Sequence, residues 1–375
     1  MKKSRVCRKT LKREGQRIAG DIILKYHTAV KRLFTLFCIT DWKKVMHSHK
    51  LGKTDLTVSE ICLGTMTFGE KIDKEEAVRA VQYAYSQGVN FIDTADIYPR
   101  GAQGESERLV GSAVKGFRDK VILATKVGGP MGPGKDDRGL SRAHIRKAVD
   151  GSLARLQTDY IDLYYLHVPD PSVDISEVIE TMDGLVSAGK IRYYGVSNFP
   201  AWQVCEMSRM ALENRKVLPA AYEGVYNLLT RGVEDELMPF LRKYQMGFTA
   251  YNPLAGGMLT GKYTGDKKQE VRGRLDENQG YRDRYYSQKN ADAVLQLQKV
   301  AEQQEMSLVE FSYRWILSHK EVSSVIMGFS SYEQMQQNLK FMENNDRELS
   351  FDSGTENLVD AIWAQLKGDR FTYFR

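Results

Sequence analysis

One pattern recurs through most of this chain and restricts its fold more than any other feature. A short apolar run ends in a polar residue or a glycine, and a segment of helical periodicity follows. The clearest case is Val89-Asn90-Phe91-Ile92-Asp93, with Tyr98 five residues beyond the carboxylate. Strands are expected at 61–65, 89–92, 121–125, 160–166, 191–196, 219–223, 247–251 and 322–327. Helices are expected between them at 73–87, 105–115, 141–156, 175–188, 202–213, 233–244 and 332–342, with further helices at 288–304, 307–318 and 354–367. Asp73 can cap the first helix, with Glu76 at the capping-box position and Gly88 as the stop. Residues 254–286, rich in glycine and charge, read as a loop too long to be a mere connector. Strict strand–helix alternation implies a parallel sheet, and eight such units point to a closed (β/α)8 TIM barrel. The alternative, a doubly wound open sheet, would normally carry G-x-G-x-x-G after its first strand, and none is present there.

Charge divides the chain unevenly. Residues 1–50 hold 14 Lys and Arg against 3 Asp and Glu, so this segment is net +11 and the remainder net −5. The main body therefore has no nucleic-acid footprint. The basic segment is no signal peptide, because Asp21, Lys25, Lys31 and Arg32 interrupt its apolar part. Three readings remain for it: a basic helix on a membrane surface, a targeting arm, or an extension outside the folded unit with Met46 as the natural start. In each it is dispensable for chemistry, and residues 51–375 form the barrel. No apolar run is long enough to span a bilayer. Cys7, Cys38, Cys62 and Cys205 are widely spaced and form no C-x-x-C pair, which fits a reducing cytoplasm and argues against a disulfide framework.

Asp93, Lys126 and His167 each lie at the end of an apolar run, with Tyr98 just beyond the first. Singly, a tyrosine after a strand is usually packing and a lone histidine is usually structural. Their shared position at strand ends is what makes a common site. A phenol is a poor acid, with a reference pKa near ~10, and a nearby ammonium favours its anion. A buried lysine in turn needs a partner to stay charged. Asp93 can hold Lys126 charged, Lys126 can acidify Tyr98, and His167 can orient a carbonyl. Reduction of that carbonyl needs hydride, which no side chain supplies, so a nicotinamide cofactor is implied.

These residues carry a family resemblance. Asp93-Thr94-Ala95-x-x-Tyr98, Ala124-Thr125-Lys126 and Leu166-His167 resemble the tetrad of the aldo-keto reductases. Gly195-Val196-Ser197-Asn198-Phe199 and the stretch from Tyr251 to Tyr263 resemble two of that family's cofactor segments. The resemblance runs from about Leu51 to Arg375, with the motifs in family order. Its Asn-Pro-Leu-Ala-Gly-Gly loop and the closing Tyr373-Phe374-Arg375 are similar to the aflatoxin-aldehyde and succinic-semialdehyde reductase type.

The resemblance implies NADPH-dependent reduction of aldehydes, with Tyr98 as general acid, Asp93 and Lys126 tuning it, and His167 positioning the carbonyl. It implies that Ser197 and Asn198 bind the nicotinamide amide and that Tyr251 stacks on the ring. Asn252, Leu254, Gly256, Gly257, Leu259 and Lys262 would cover the pyrophosphate. Ser330, Gln334, Gln337 and Asn338 would hold the adenosine end, and Arg274 the 2′-phosphate of NADP(H). Met66, Tyr281, Arg284 and Arg375 would face the substrate, and the paired guanidinium groups suit a carboxylated aldehyde. Glu223 departs from the family, standing where a glutamine usually contacts the amide; a carboxylate accepts but cannot donate. Gln334 stands where many relatives carry arginine, so NADP preference rests on Arg274 and the serines. The resemblance leaves a homodimer open.

Three patterns look like chemistry and are not expected to be. Gly256-x-x-x-x-Gly261-Lys262 is followed by Tyr263, which cannot replace the Ser/Thr that ligates magnesium in a P-loop. Tyr285-x-x-x-Lys289 lies far from any Gly-rich dinucleotide motif. Glu177, Glu180 and Asp183 read as a solvated helix face, and no His/Cys/Asp cluster has metal-binding spacing. A rival function comes with the same resemblance: this fold and pocket also occur in accessory subunits of ion channels, where cofactor binding rather than turnover is the main role.

Overall fold

A computed structural model describes residues 46–264, 273–343 and 350–367. Two short strands come first, β1 (Ser48–Lys50) and β2 (Thr57–Ser59), paired antiparallel. Then follow β3 (Ile61–Gly64), β4 (Phe91–Asp93), β5 (Ile122–Val127), β6 (Ile161–Leu166), β7 (Ile191–Ser197), β8 (Ala221–Val225), β9 (Gly247–Tyr251) and β10 (Ser324–Met327). These eight are parallel, and β10 pairs with both β9 and β3, so the sheet closes into the expected barrel. An open doubly wound sheet is thereby excluded.

The sequence explains the closure. β5 and β6 are buried along their whole length, as a strand must be when one face lines the barrel and the other meets helices. The barrel interior is narrow. Cys62, Phe91, Ala124, Leu163, Tyr165, Ala221 and Ile326 fill it, joined by Leu51, Leu56 and Val58 from the first hairpin. A Cβ at Gly247, the first residue of β9, would meet Leu51 Cδ1 at 2.6 Å, so the hairpin plugs the N-terminal end of the strands. The C-terminal end is left for chemistry.

Helices α1 (Lys74–Ser86), α2 (Glu105–Ala113), α3 (Arg142–Leu156), α4 (Ile175–Ser187), α5 (Ala201–Glu213) and α6 (Leu237–Tyr244) fill the gaps between strands β3 to β9. Asp73, Ser141 and Asp174 cap α1, α3 and α4 by accepting a backbone N–H two or three residues on. The capping box expected at Asp73 forms only by half. Glu76 turns away and accepts from the backbone N–H of Tyr332, tying α1 to α11 (Tyr332–Glu343).

Other expectations need correction. The helix expected at 233–244 is broken into a 3-10 turn, Gly232–Glu234, and α6. Pro239 explains the break: in a continuous helix it would lack a donor and clash with the preceding turn, whereas in the first turn of α6 it costs nothing. The loop expected at 254–286 contains a 3-10 segment, Ala255–Thr260, and two short helices, α7 (Arg274–Glu277) and α8 (Gln279–Tyr285). Then come α9 (Gln288–Gln303) and α10 (Leu308–Leu317), with α12 (Ser353–Leu366) last. The described residues begin with Met46, which packs in the core, and β1 at Ser48 pairs with β2, so residues 46–50 of the segment assigned to the basic extension belong with the barrel. The basic stretch up to residue 45 and Arg375, expected to face the substrate, lie outside the described residues. Among those described, no helix is long and apolar enough to cross a membrane.

Candidate active site

Asp93 closes β4, Ser197 closes β7 and Tyr251 closes β9, while His167 follows the last residue of β6. All four therefore meet at the C-terminal mouth of the barrel. Lys126 Nζ donates to Asp93 Oδ1 at 2.5 Å and Oδ2 at 2.6 Å, and to the carbonyl of Thr94 at 2.9 Å. It is fully buried. The same nitrogen lies 5.4 Å from the centre of the Tyr98 ring, and Tyr98 meets the His167 ring edge-on at 6.0 Å. The expected tetrad is thus one cluster.

Its electrostatics differ from expectation in one respect. Burial alone would lower Lys126, but Asp93 and then Glu223 outweigh it, and the ammonium stays charged. Burial is also the largest influence on Tyr98 and raises it; Lys126 pulls it down, while Asp93, Glu223 and Tyr281 push it up. The net direction for Tyr98 is upward. Lys126 acts in the expected sense without making the phenol acidic at rest, so Tyr98 keeps its proton. Burial likewise raises Asp93, with Lys126 opposing.

The loop carrying Tyr98 is braced by hydroxyl groups that the sequence did not single out. Ser106 on α2 donates its backbone N–H to the Tyr98 carbonyl. Its Oγ lies 2.9 Å from both Thr65 Oγ1 and Thr94 Oγ1. Behind these, Glu107 accepts from Thr125 Oγ1 at 2.6 Å and from Arg155 Nε at 2.6 Å. The signal was present in Gly104-Glu105-Ser106-Glu107, but polar residues opening a helix usually read as solvent-facing.

A second polar group adjoins the tetrad. Tyr251 Oη donates to Asn198 Oδ1 at 2.8 Å, and Asn198 Nδ2 donates to the His167 carbonyl and to Ser197 Oγ, each at 2.9 Å. Asn198 and Asn252 both have φ of 63°, a left-handed conformation that asparagine tolerates. Asn252 Oδ1 accepts from the Gly256 N–H at 2.8 Å, and its Nδ2 donates to Tyr285 Oη at 2.7 Å. Ala255, Gly256 and Gly257 are all left-handed, at φ of 49°, 67° and 98°. A Cβ at Gly256 would lie 2.8 Å from the Tyr281 ring. That ring has Arg274 at 5.4 Å and Arg284 at 5.9 Å, so two cations expected at different ligand groups lie against one aromatic ring.

Lys262 is half-buried and makes no ion pair among the described residues. Burial lowers it, and nearby Lys71 and Arg274 act in the same sense against Asp276 and Glu277. Such a nitrogen would gain from an anion. Leu254 and Met66 are half-buried and Leu259 is buried. On the far rim Gln334 Oε1 accepts from Ser330 N–H at 2.8 Å and Oγ at 3.0 Å. Gln337 is exposed, whereas Asn338 is buried and its Nδ2 has no partner among the described residues. Glu223 is brought to Lys126 itself, with Oε2 at 3.4 Å from Nζ.

The rejected patterns also resolve. Glu177 and Glu180 bind Arg142, and Asp183 binds Lys216 and the Val217 N–H, so this face staples helices and is more than solvated surface. No group of metal-binding side chains occurs among the described residues.

Comparison with known proteins agrees with this geometry. The model of the aldo/keto reductase family matches residues 60–352. The chain is 35% identical to aflatoxin B1 aldehyde reductase member 2 of Rattus norvegicus over 303 residues, covering 76% of this chain and 80% of that one. It is 37% identical to an uncharacterized oxidoreductase, YrpG, of Bacillus subtilis over 309 residues, 78% and 90% of the two chains. It is 34% identical to a probable voltage-gated potassium channel subunit beta of Oryza sativa subsp. japonica over 305 residues, 80% and 92% of the two chains. A closed parallel barrel, a buried lysine–aspartate pair beside a tyrosine at its mouth, and a family match across the whole barrel together identify the chain as an oxidoreductase of the aldo/keto reductase family.

Proposed function

We propose that this chain reduces aldehydes to alcohols with NADPH, and that Tyr98 gives the proton to the carbonyl oxygen. The observation that carries the reading is the Lys126 ammonium, held bidentately by Asp93 with the Tyr98 ring 5.4 Å away. An anion forming on Tyr98 would find that charge already in place, and preorganised charge of this kind lowers a barrier without reorganisation. His167, edge-on to Tyr98, would steer the carbonyl oxygen toward the phenol.

The residues present suit a dinucleotide phosphate. The left-handed run 255–257, and Lys262 and the buried Nδ2 of Asn338, both without a partner among the described residues, are groups that an anionic, polar ligand would satisfy. When bound, NADPH supplies the hydride. Ser197 and Asn198 would take its carboxamide, with Tyr251 fixed against Asn198 to cover the ring. Residues 252–262 would hold the pyrophosphate, and Ser330, Gln337 and Asn338 the adenosine end. Gln334, its oxygen occupied by Ser330, leaves its amide N–H groups for the 2′-phosphate beside Arg274. Arg284 and Tyr281, with Met66 and Arg375, would meet the substrate and favour a carboxylated aldehyde.

NADPH consumption, followed by its ultraviolet absorbance, tests this with matched aldehydes that carry or lack a carboxylate. Turnover of both is expected, with the lower KM for the carboxylated one. Arg284→Ala should raise KM for that substrate alone, by roughly tenfold, as the loss of a charged hydrogen bond would. The named potassium-channel relatives support a second reading, in which the chain binds the cofactor as an accessory subunit with little turnover. Tight NADPH binding without consumption of any aldehyde would favour it.

A further inference from the structure

The mouth of the barrel holds two carboxyl groups for one ammonium. A lysine ammonium has three protons. Lys126 directs them to the two oxygens of Asp93 and to the Thr94 carbonyl, at 2.5, 2.6 and 2.9 Å. Nothing remains for Glu223. Its Oε2 stands 3.4 Å from Nζ, buried and without a hydrogen-bond partner among the described residues. With both acids ionised, this water-poor site would carry an uncompensated negative charge, and two carboxylates sharing one site cannot both ionise cheaply.

We propose that Glu223 is a neutral acid at neutral pH, hydrogen-bonded to Asp93, and that its ionisation switches off proton donation by Tyr98. Glu223 is thus a positioning residue acting through Lys126 and Tyr98. The second half rests on the reading of Tyr98 as proton donor; the first half does not. The groups that face Glu223 bear this out. Burial raises it to about 8, Asp93 on β4 adds to the rise, and Lys126 on β5 opposes it. Cys62 on β3, Tyr165 on β6 and Tyr98 feel its charge in turn. On the adjacent strands, Ser197 of β7 and Thr249 of β9 pair with Glu223 in register, and neither titrates.

The consequence follows from charge alone. When Tyr98 passes its proton to the carbonyl oxygen, a negative charge forms on the phenol. A neutral Glu223 leaves Lys126 shared with Asp93 only. An ionised Glu223, its proton released to solvent, adds a second negative charge against that phenolate. Turnover should therefore fall as pH rises through about 8, the value to which Glu223 is raised.

Infrared difference spectroscopy on the full chain reads the Glu223 proton directly, with no cofactor present. Wild type minus Glu223→Gln should show the carbonyl stretch of a protonated carboxylic acid at neutral pH, lost through about pH 8. Glu223→Ala serves as the reference should the glutamine variant not fold. In Asp93→Asn, Lys126 needs a new counter-ion, so Glu223 should ionise and the band should vanish at neutral pH. Absence of the band in wild type, or its persistence in Asp93→Asn, overturns the proposal. In turnover assays the alkaline fall should be present in wild type and absent in Glu223→Gln; an unchanged profile also overturns it. Turnover without the band would leave the reductase reading standing and remove this one. The band without turnover would keep the Glu223 proton and remove the reductase reading.

Discussion

Lys126 is a charged side chain with no exposed surface, and its neighbours are arranged to keep it so. Removing Asp93 takes two charged hydrogen bonds from that ammonium and leaves Glu223, 3.4 Å away, to replace it as counter-ion, so Asp93→Ala should cost roughly 1.5–3 kcal/mol in chemical denaturation. Asp96 presents the opposite case. It is fully buried, neither oxygen has a partner among the described residues, and burial raises it well above the ordinary carboxylate range, with Glu107 adding and Arg155 opposing. An acid raised on folding contributes stability that is complete below its unfolded value and is lost as pH rises through its folded one. Asp96→Asn should therefore match wild type in thermal melts at acid pH and exceed it at alkaline pH. Asp93, Tyr98, Lys126 and His167 were legible in the sequence because each follows an apolar run. The approach of Glu223 to Lys126 was not, because it joins β5 to β8, three strands away around the barrel. The direction of the Tyr98 shift was also hidden: the sequence shows a neighbouring ammonium, but not how much burial opposes it.

At the scale of elements, strands and their helices were readable from period and caps, while the long segment after β9 was not. Its helices are short, and α8 is held by Asn278 capping Tyr281 N–H and by one aromatic pair, Tyr281 and Tyr285, rather than by a full apolar stripe. The glycines of that segment carry the conformation. Gly256 has φ of 67°, and a Cβ there would approach Tyr281 at 2.8 Å. Gly256→Ala should cost about 1 kcal/mol or more and weaken NADPH binding, measured by fluorescence titration. Gly232→Ala is the control, since nothing lies within 4 Å of its added carbon.

The described residues form a barrel plugged at one end, with the candidate site at the other. Leu51, Leu56 and Val58 close the N-terminal end, so Leu56→Ala should cost roughly 2–5 kcal/mol although it touches no reactant. We expect a chain starting at Met46 to melt like the full one, because the hairpin is kept intact. The basic composition of the first residues separated them from the barrel in the sequence; the hairpin between was missed because its strands are only three residues long. The account rests on Tyr98 as the proton donor, and Tyr98→Phe tests it most directly, with NADPH bound to saturation and hydride transfer followed in a single turnover. The prediction is unchanged cofactor affinity and a rate lower by roughly 10²–10⁴-fold, the usual contribution of a positioned general acid. A Tyr98→Phe chain that turns over as fast as wild type would contradict it.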